Sequence, residues 1–159
     1  MKPVKPVKLV VMALIAAVLF GASKSWAQET SAQQGAETER GEPKIGEIMT
    51  LQQMRHIKLW FAGRAGNWPL ADYEINELKE GFDDLSRQVG SDTVEKAVGS
   101  QISALEKAVG AKDRAAFTSA FDQLNAGCNS CHRLLDRAFI VIQRPTVLPY
   151  SDQSFAGQK

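Results

Sequence analysis

From Ile45 to Gln143 the apolar residues recur every three or four positions and almost never alternate, which commits this stretch to amphipathic helices and leaves no pattern for a sheet. The cleanest repeat is Ala71, Ile75, Leu78, Phe82, Leu85 and Val89, an unbroken apolar stripe. Asp72, Glu74, Glu77, Glu80 and Asp83 fall mostly on its other faces, and Asp83 and Asp84 read as a solvated face rather than a catalytic pair.

The punctuation predicts four helices. The first spans about 47–63, with adjacent stripes through Ile48, Gln52, Arg55, Leu59 and Ala62 and through Met49, Gln52, His56, Trp60 and Gly63; Gly63 and Gly66 are expected to stop it. Pro69 sits in the first turn of the second, where a missing N–H costs nothing, and Gly90 ends it after Val89. Ser91 or Asp92 caps the third, which runs to Gly110; Gly99 inside it costs about 1 kcal/mol in propensity and marks an expected close contact. The fourth is expected from Lys112 to Gln143, with a stripe through Phe117, Phe121, Leu124, Cys128, Cys131, Leu135, Ala138 or Phe139, and Ile142, until Pro145 terminates it. Four such helices with short connections predict an all-α fold, an antiparallel up-down-up-down four-helix bundle over residues 44–144.

The flanks differ in composition. Residues 1–27 begin with Lys2, Lys5 and Lys8, continue through the apolar run Leu9 to Ala22, and end in small residues at Ser25 and Ala27, the pattern of a signal peptide cleaved after Ala27. The apolar run is shorter than the roughly 20 residues a membrane-spanning helix needs. Residues 28–43 carry almost no large apolar side chain and read as a disordered leader. Residues 145–159 read as an extended tail that lays Val147, Leu148, Tyr150 and Phe155 on the core. The whole chain has 19 basic and 18 acidic residues; loss of Lys2, Lys5, Lys8 and Lys24 with the signal leaves 15 basic and a net charge of −3. That balance gives nucleic-acid binding no electrostatic support. The expectation is a soluble protein exported to the periplasm, without stable membrane insertion.

The chain has two cysteines, three positions apart and followed at once by a histidine: Cys128-Asn129-Ser130-Cys131-His132. C-x-x-C-H is the spacing of covalent haem attachment. Residues three or four apart on a helix face the same way, so two thiols can reach the two vinyl groups on one porphyrin edge while the imidazole comes under the iron. A redox-active dithiol ordinarily follows a strand, and none is expected here. A zinc site needs about four ligands, and the chain has only two cysteines and two histidines. A disulfide between positions three apart in a helix is poorly shaped.

The helix count, the export signal and a C-x-x-C-H in the last helix resemble the class II c-type cytochromes, cytochrome c prime and its low-spin relatives, over about Glu47 to Arg144. The resemblance implies that Cys128 and Cys131 form the thioether bonds to haem c and that His132 is the proximal iron ligand. It also implies that Arg137 stands near the haem propionates, and that the first helix supplies the distal residue. That residue is an apolar blocker in high-spin members and a Met or His ligand in low-spin ones. Here the first helix offers Met49, Met54 and His56. Equal rise along antiparallel helices puts the level of His132 near residue 58, closest to His56, with Met54 next and Met49 roughly two turns away. The middle of the chain is shorter than in cytochrome c prime.

With two side-chain ligands the haem would be a one-electron carrier served by redox partner proteins. With an open sixth site it would bind nitric oxide or carbon monoxide. No acid, base or nucleophile constellation points to a turnover enzyme. Class II relatives often dimerise through their first two helices, and Leu51, Ile57 and Phe61 offer a face for a homodimer.

Overall fold

The computed structural model describes residues 42–148 and 150–157. The signal peptide expected over residues 1–27 and nearly all of the leader expected over 28–43 lie outside the described residues. Among those described, the chain is all-α: four helices and no strand. Helix α1 is Ile45–Ala65, α2 is Trp68–Val89, and α4 is Arg114–Leu134. Between them α3 (residues 91–110) runs from Ser91–Val94 through a π-helical turn, Glu95–Gly99, into Ser100–Gly110.

Local chemistry explains the boundaries. The Lys44 N–H donates to the Glu47 side chain at 3.2 Å at the start of α1. Gly66, at φ 74°, ends that helix, with its own N–H on Gly63 O and the Asn67 N–H on Ala62 O, the paired bonds of a Schellman turn. Gly63 is therefore not a stop. It lies inside α1 because the Phe117 ring of α4 packs onto it, leaving no room for a Cβ. Asn67 caps α2 by accepting from Leu70 N–H, and Asp113 caps α4 by accepting from Ala115 and Ala116 N–H.

Helix α4 ends at Leu134, not at Gln143. Asp136 takes a left-handed conformation (φ 57°), the Arg137 N–H returns to His132 O at 2.6 Å, and the Asp136 N–H returns to Arg133 O at 3.3 Å. This is a Schellman turn built on Asp, one of the few non-glycine residues that tolerate this region. The chain then doubles back, so the expected continuation of the stripe through Phe139 is not helical, and Phe139 is 79% exposed.

The expected stripes are the buried ones. Leu59, Ile75, Leu78, Leu105, Phe117, Phe121 and Leu124 are essentially inaccessible. Helix α1 packs chiefly on α2 and α3 on α4, with α2 against α3 and α1 against α4 closing the core. Trp60, Phe117 and Phe121 form an aromatic cluster, with Trp60 and Phe121 centroids 4.8 Å apart. The tail packs as expected at Leu148, Tyr150 and Phe155, whose ring lies 6.1 Å from Phe61, but Val147 points outward. The close contact expected at Gly99 lies elsewhere. A side chain at Gly99 would meet only the flexible end of Glu95, whereas one at Gly127 would strike the backbone carbonyl of Ala97 in the π turn. No helix among the described residues is long and apolar enough to cross a membrane.

Candidate functional site

A cavity of about 610 Å³ opens between the helices. Its lining comes from the first half of α1, the second half of α2, the first turns of α3, the end of α4 and the segment that follows α4. Leu78, Phe82, Leu85, Val94, Val98 and Leu124 make it mostly apolar. The volume lies within the range of cofactor pockets, and the few polar groups on the wall are those that fix chemistry.

Cys128, Cys131 and His132 all line this cavity, as the helical spacing requires. Both thiols are free, Cys131 buried and Cys128 half-buried. Burial pushes the Cys128 thiol up to about 12, and burial raises Cys131 as well. Both are therefore protonated thiols at neutral pH, the opposite of the lowered pKa that activates a redox dithiol. Among the described residues no three His, Cys, Asp or Glu side chains are grouped to hold a metal ion.

His132 Nδ1 lies 2.9 Å from the carbonyl oxygen of Ile140. A carbonyl can only accept, so Nδ1 carries a proton, and in the neutral ring it is Nε2 that holds the lone pair. That is the tautomer in which a histidine ligates through Nε2 while its other nitrogen is anchored.

Across the cavity, His56 of α1 is buried, with its ring 4.5 Å from that of Phe121. Its Nε2 donates to Asn125 Oδ1 at 2.6 Å. Burial holds its pKa below the ordinary imidazole value, against the hydrogen bond to Asn125, so the ring is neutral at pH 7 and Nδ1 keeps a lone pair. Met49 also lines the cavity, although it lies farther along α1 than the level-matching argument favoured, and Met54 is not among the lining residues. Arg137 stands at the rim, exposed, with Nη1 donating to Asp136 O at 3.1 Å.

Sequence reasoning missed Asn125 and Asn129. Asn125 is a polar side chain on the inner stripe of α4, three residues before Cys128, and buried polar groups need partners. His56 on a facing apolar stripe was the available signal for it. Asn129 was treated only as a spacer within the motif, yet its side chain bonds both backbone groups of Ile142. That contact depends on the early end of α4, which periodicity did not reveal.

Searches against protein-family models, curated proteins and solved structures find no match to this chain.

Proposed function

We propose that this chain is an exported, periplasmic c-type cytochrome that carries one covalently attached haem and transfers single electrons between redox partner proteins. The observation that carries this reading is the convergence of Cys128, Cys131 and His132 on one apolar cavity of about 610 Å³ that His56 of α1 also lines. The helices are an antiparallel up-down-up-down bundle. In support, the lining draws on the beginnings of α1 and α3 and the ends of α2 and α4, as helices of alternating direction would supply it. This arrangement agrees with the resemblance to class II cytochromes.

In this reading Cys128 and Cys131 hold the haem by addition of each S–H across a vinyl double bond, sulfur to one carbon and hydrogen to the other, with no oxidant and no leaving group. His132 would hold the iron through Nε2, and Arg137 at the rim would meet the propionates. When bound, the haem supplies a one-electron couple whose potential the axial ligands and burial set. The apolar lining excludes water, and the neutral imidazole of His56 presents a second donor nitrogen, Nδ1. Two nitrogen ligands on one iron make an electron carrier with little motion between oxidation states.

One observation favours a second reading. The Nε2–H of His56 is committed to Asn125, so only Nδ1 remains for iron. With Nδ1 held off the metal, His132 alone would hold the haem iron, and the apolar pocket would leave room for nitric oxide or carbon monoxide.

The deciding experiment is a UV–visible spectrum of the exported protein, oxidised and dithionite-reduced, with and without carbon monoxide. Sharp split bands unmoved by the gas are expected. A broad reduced spectrum that shifts with carbon monoxide selects the gas-binding reading. Absence of any haem that survives acid-solvent extraction overturns both.

A further inference from the structure

Asn129 fills the first free position of the C-x-x-C-H motif, and the haem reading gives it no role. Its carboxamide is nonetheless fully engaged with the segment that doubles back after α4. Nδ2 donates to Ile142 O at 2.8 Å, and Oδ1 accepts from Ile142 N–H at 2.7 Å. A single side chain thus makes the two-bond exchange by which one extended strand holds another. Two residues earlier in the same segment, Ile140 O receives the His132 Nδ1–H.

Besides one backbone turn bond at Ile140, Asn129 makes the side-chain bonds that hold the segment at Ile142. Ile140 and Ile142 line the cavity, while Phe139 and Val141 turn away and are 79% and 71% exposed. The Schellman turn that ends α4 sets the exit direction as far as Arg137, and a turn bond from Ile140 N–H to Arg137 O at 2.9 Å holds the amide side of Ile140. The next anchor is Arg144, whose Nε donates to Asp122 at 2.6 Å.

We propose that Asn129 is a positioning residue for His132: by clamping Ile142 it holds the Ile140 carbonyl on Nδ1, which fixes the imidazole in the Nδ1–H tautomer and leaves Nε2 as the donor. A neutral histidine in water favours the opposite tautomer, so the clamp works against the intrinsic preference. The proposal rests on the haem reading only for the use of Nε2; the clamp itself is a property of the chain alone.

The test is ¹⁵N NMR of the haem-free full-length chain with labelled histidine, at about pH 8 where imidazole is neutral. Ring-nitrogen shifts report which nitrogen of His132 carries the proton. The Nδ1–H form is expected to dominate. In Asn129→Ala the ratio of Nδ1–H to Nε2–H should fall about fivefold, the factor that one ordinary net hydrogen bond is worth. Asn129→Asp keeps an acceptor for Ile142 N–H but loses the donor, and should fall between. An Nε2–H majority in the unmodified chain overturns the proposal, as does an unchanged ratio in a folded Asn129→Ala. Should Asn129→Ala not fold, an unchanged ratio in Asn129→Asp overturns it. Failure of the haem reading would appear separately, as an exported protein without covalent haem, and would leave the tautomer result standing.

Discussion

His56 on α1 and Asn125 on α4 share a 2.6 Å hydrogen bond while each is only 7% exposed. Two polar side chains on facing apolar stripes thus satisfy one another beside the cavity wall. Their separation in sequence, 69 residues, makes this bond a tie between the first and last helices as well as a feature of the site.

The tie predicts an asymmetry between single and double replacement. Asn125→Leu leaves the His56 Nε2–H buried without a partner and should cost about 1–3 kcal/mol. Adding His56→Leu removes the orphaned donor, so the double variant should lose less than the two single losses summed. Urea unfolding midpoints of the four proteins in the cycle measure it, and strict additivity would show that the bond carries no stability.

His56 also gives stability a pH dependence of known sign. Burial lowers its folded-state pKa below the ordinary 6.5, so in the interval between the two values the unfolded chain binds more protons than the folded one. Stability then rises with pH, is fully present above about 6.5, and is lost as pH falls through the folded value. Glu74 acts with the opposite sign, because burial raises its pKa above 4.5 and its contribution is lost as pH rises through the raised value. Replacement of His56 by Leu should flatten the unfolding free energy between about pH 6.5 and the lowered value, whereas Glu74→Gln should remove a slope of the opposite sign that begins near pH 4.5. Denaturant titrations across both intervals make the comparison.

Gly127 and Gly99 should respond differently to alanine. A Cβ at 127 would collide with the Ala97 carbonyl, a backbone atom that cannot turn aside, so Gly127→Ala should cost about 1–3 kcal/mol as overpacking. At Gly99 the obstacle is the carboxylate of Glu95, which can swing into solvent; gain of helix propensity then makes Gly99→Ala neutral or stabilising by up to about 1 kcal/mol. Thermal melts of both variants would check the order, and an equal loss at the two sites would contradict it.

These glycines also mark where the sequence was legible and where it was not. Periodicity identified the four helices, and the stripes through Leu59, Ile75, Leu105 and Phe121 are the buried core. It placed Cys128, Cys131, His132 and His56 on inward faces, and all four line one cavity. It could not see that Gly63 accommodates a ring from another helix, because such a contact is tertiary. Nor could it see the end of α4: Asp136 gives no glycine signal, and Phe139 and Ile142 continue the helical spacing by coincidence while the backbone has already turned. The π turn at 95–99 likewise has no apolar signature, since it shifts the register of a stripe that is still apolar on both sides.

The proposed haem attachment predicts three separable outcomes from the motif itself. Replacing both cysteines, as Cys128→Ser with Cys131→Ser, removes both thiols and should abolish haem that survives acid-solvent extraction, while the helices persist because Cys131 is a small part of a core dominated by Leu and Phe. Either single replacement leaves one thiol and should retain haem held by one bond, recognisable by a shifted pyridine haemochrome band. His132→Ala leaves both thiols in place, so haem should remain covalently bound, yet the ferrous spectrum should change strongly because the proximal nitrogen is gone. Extractable haem in the unmodified exported protein would refute thioether attachment, and an unchanged ferrous spectrum in His132→Ala would remove His132 as the iron ligand while leaving the attachment intact.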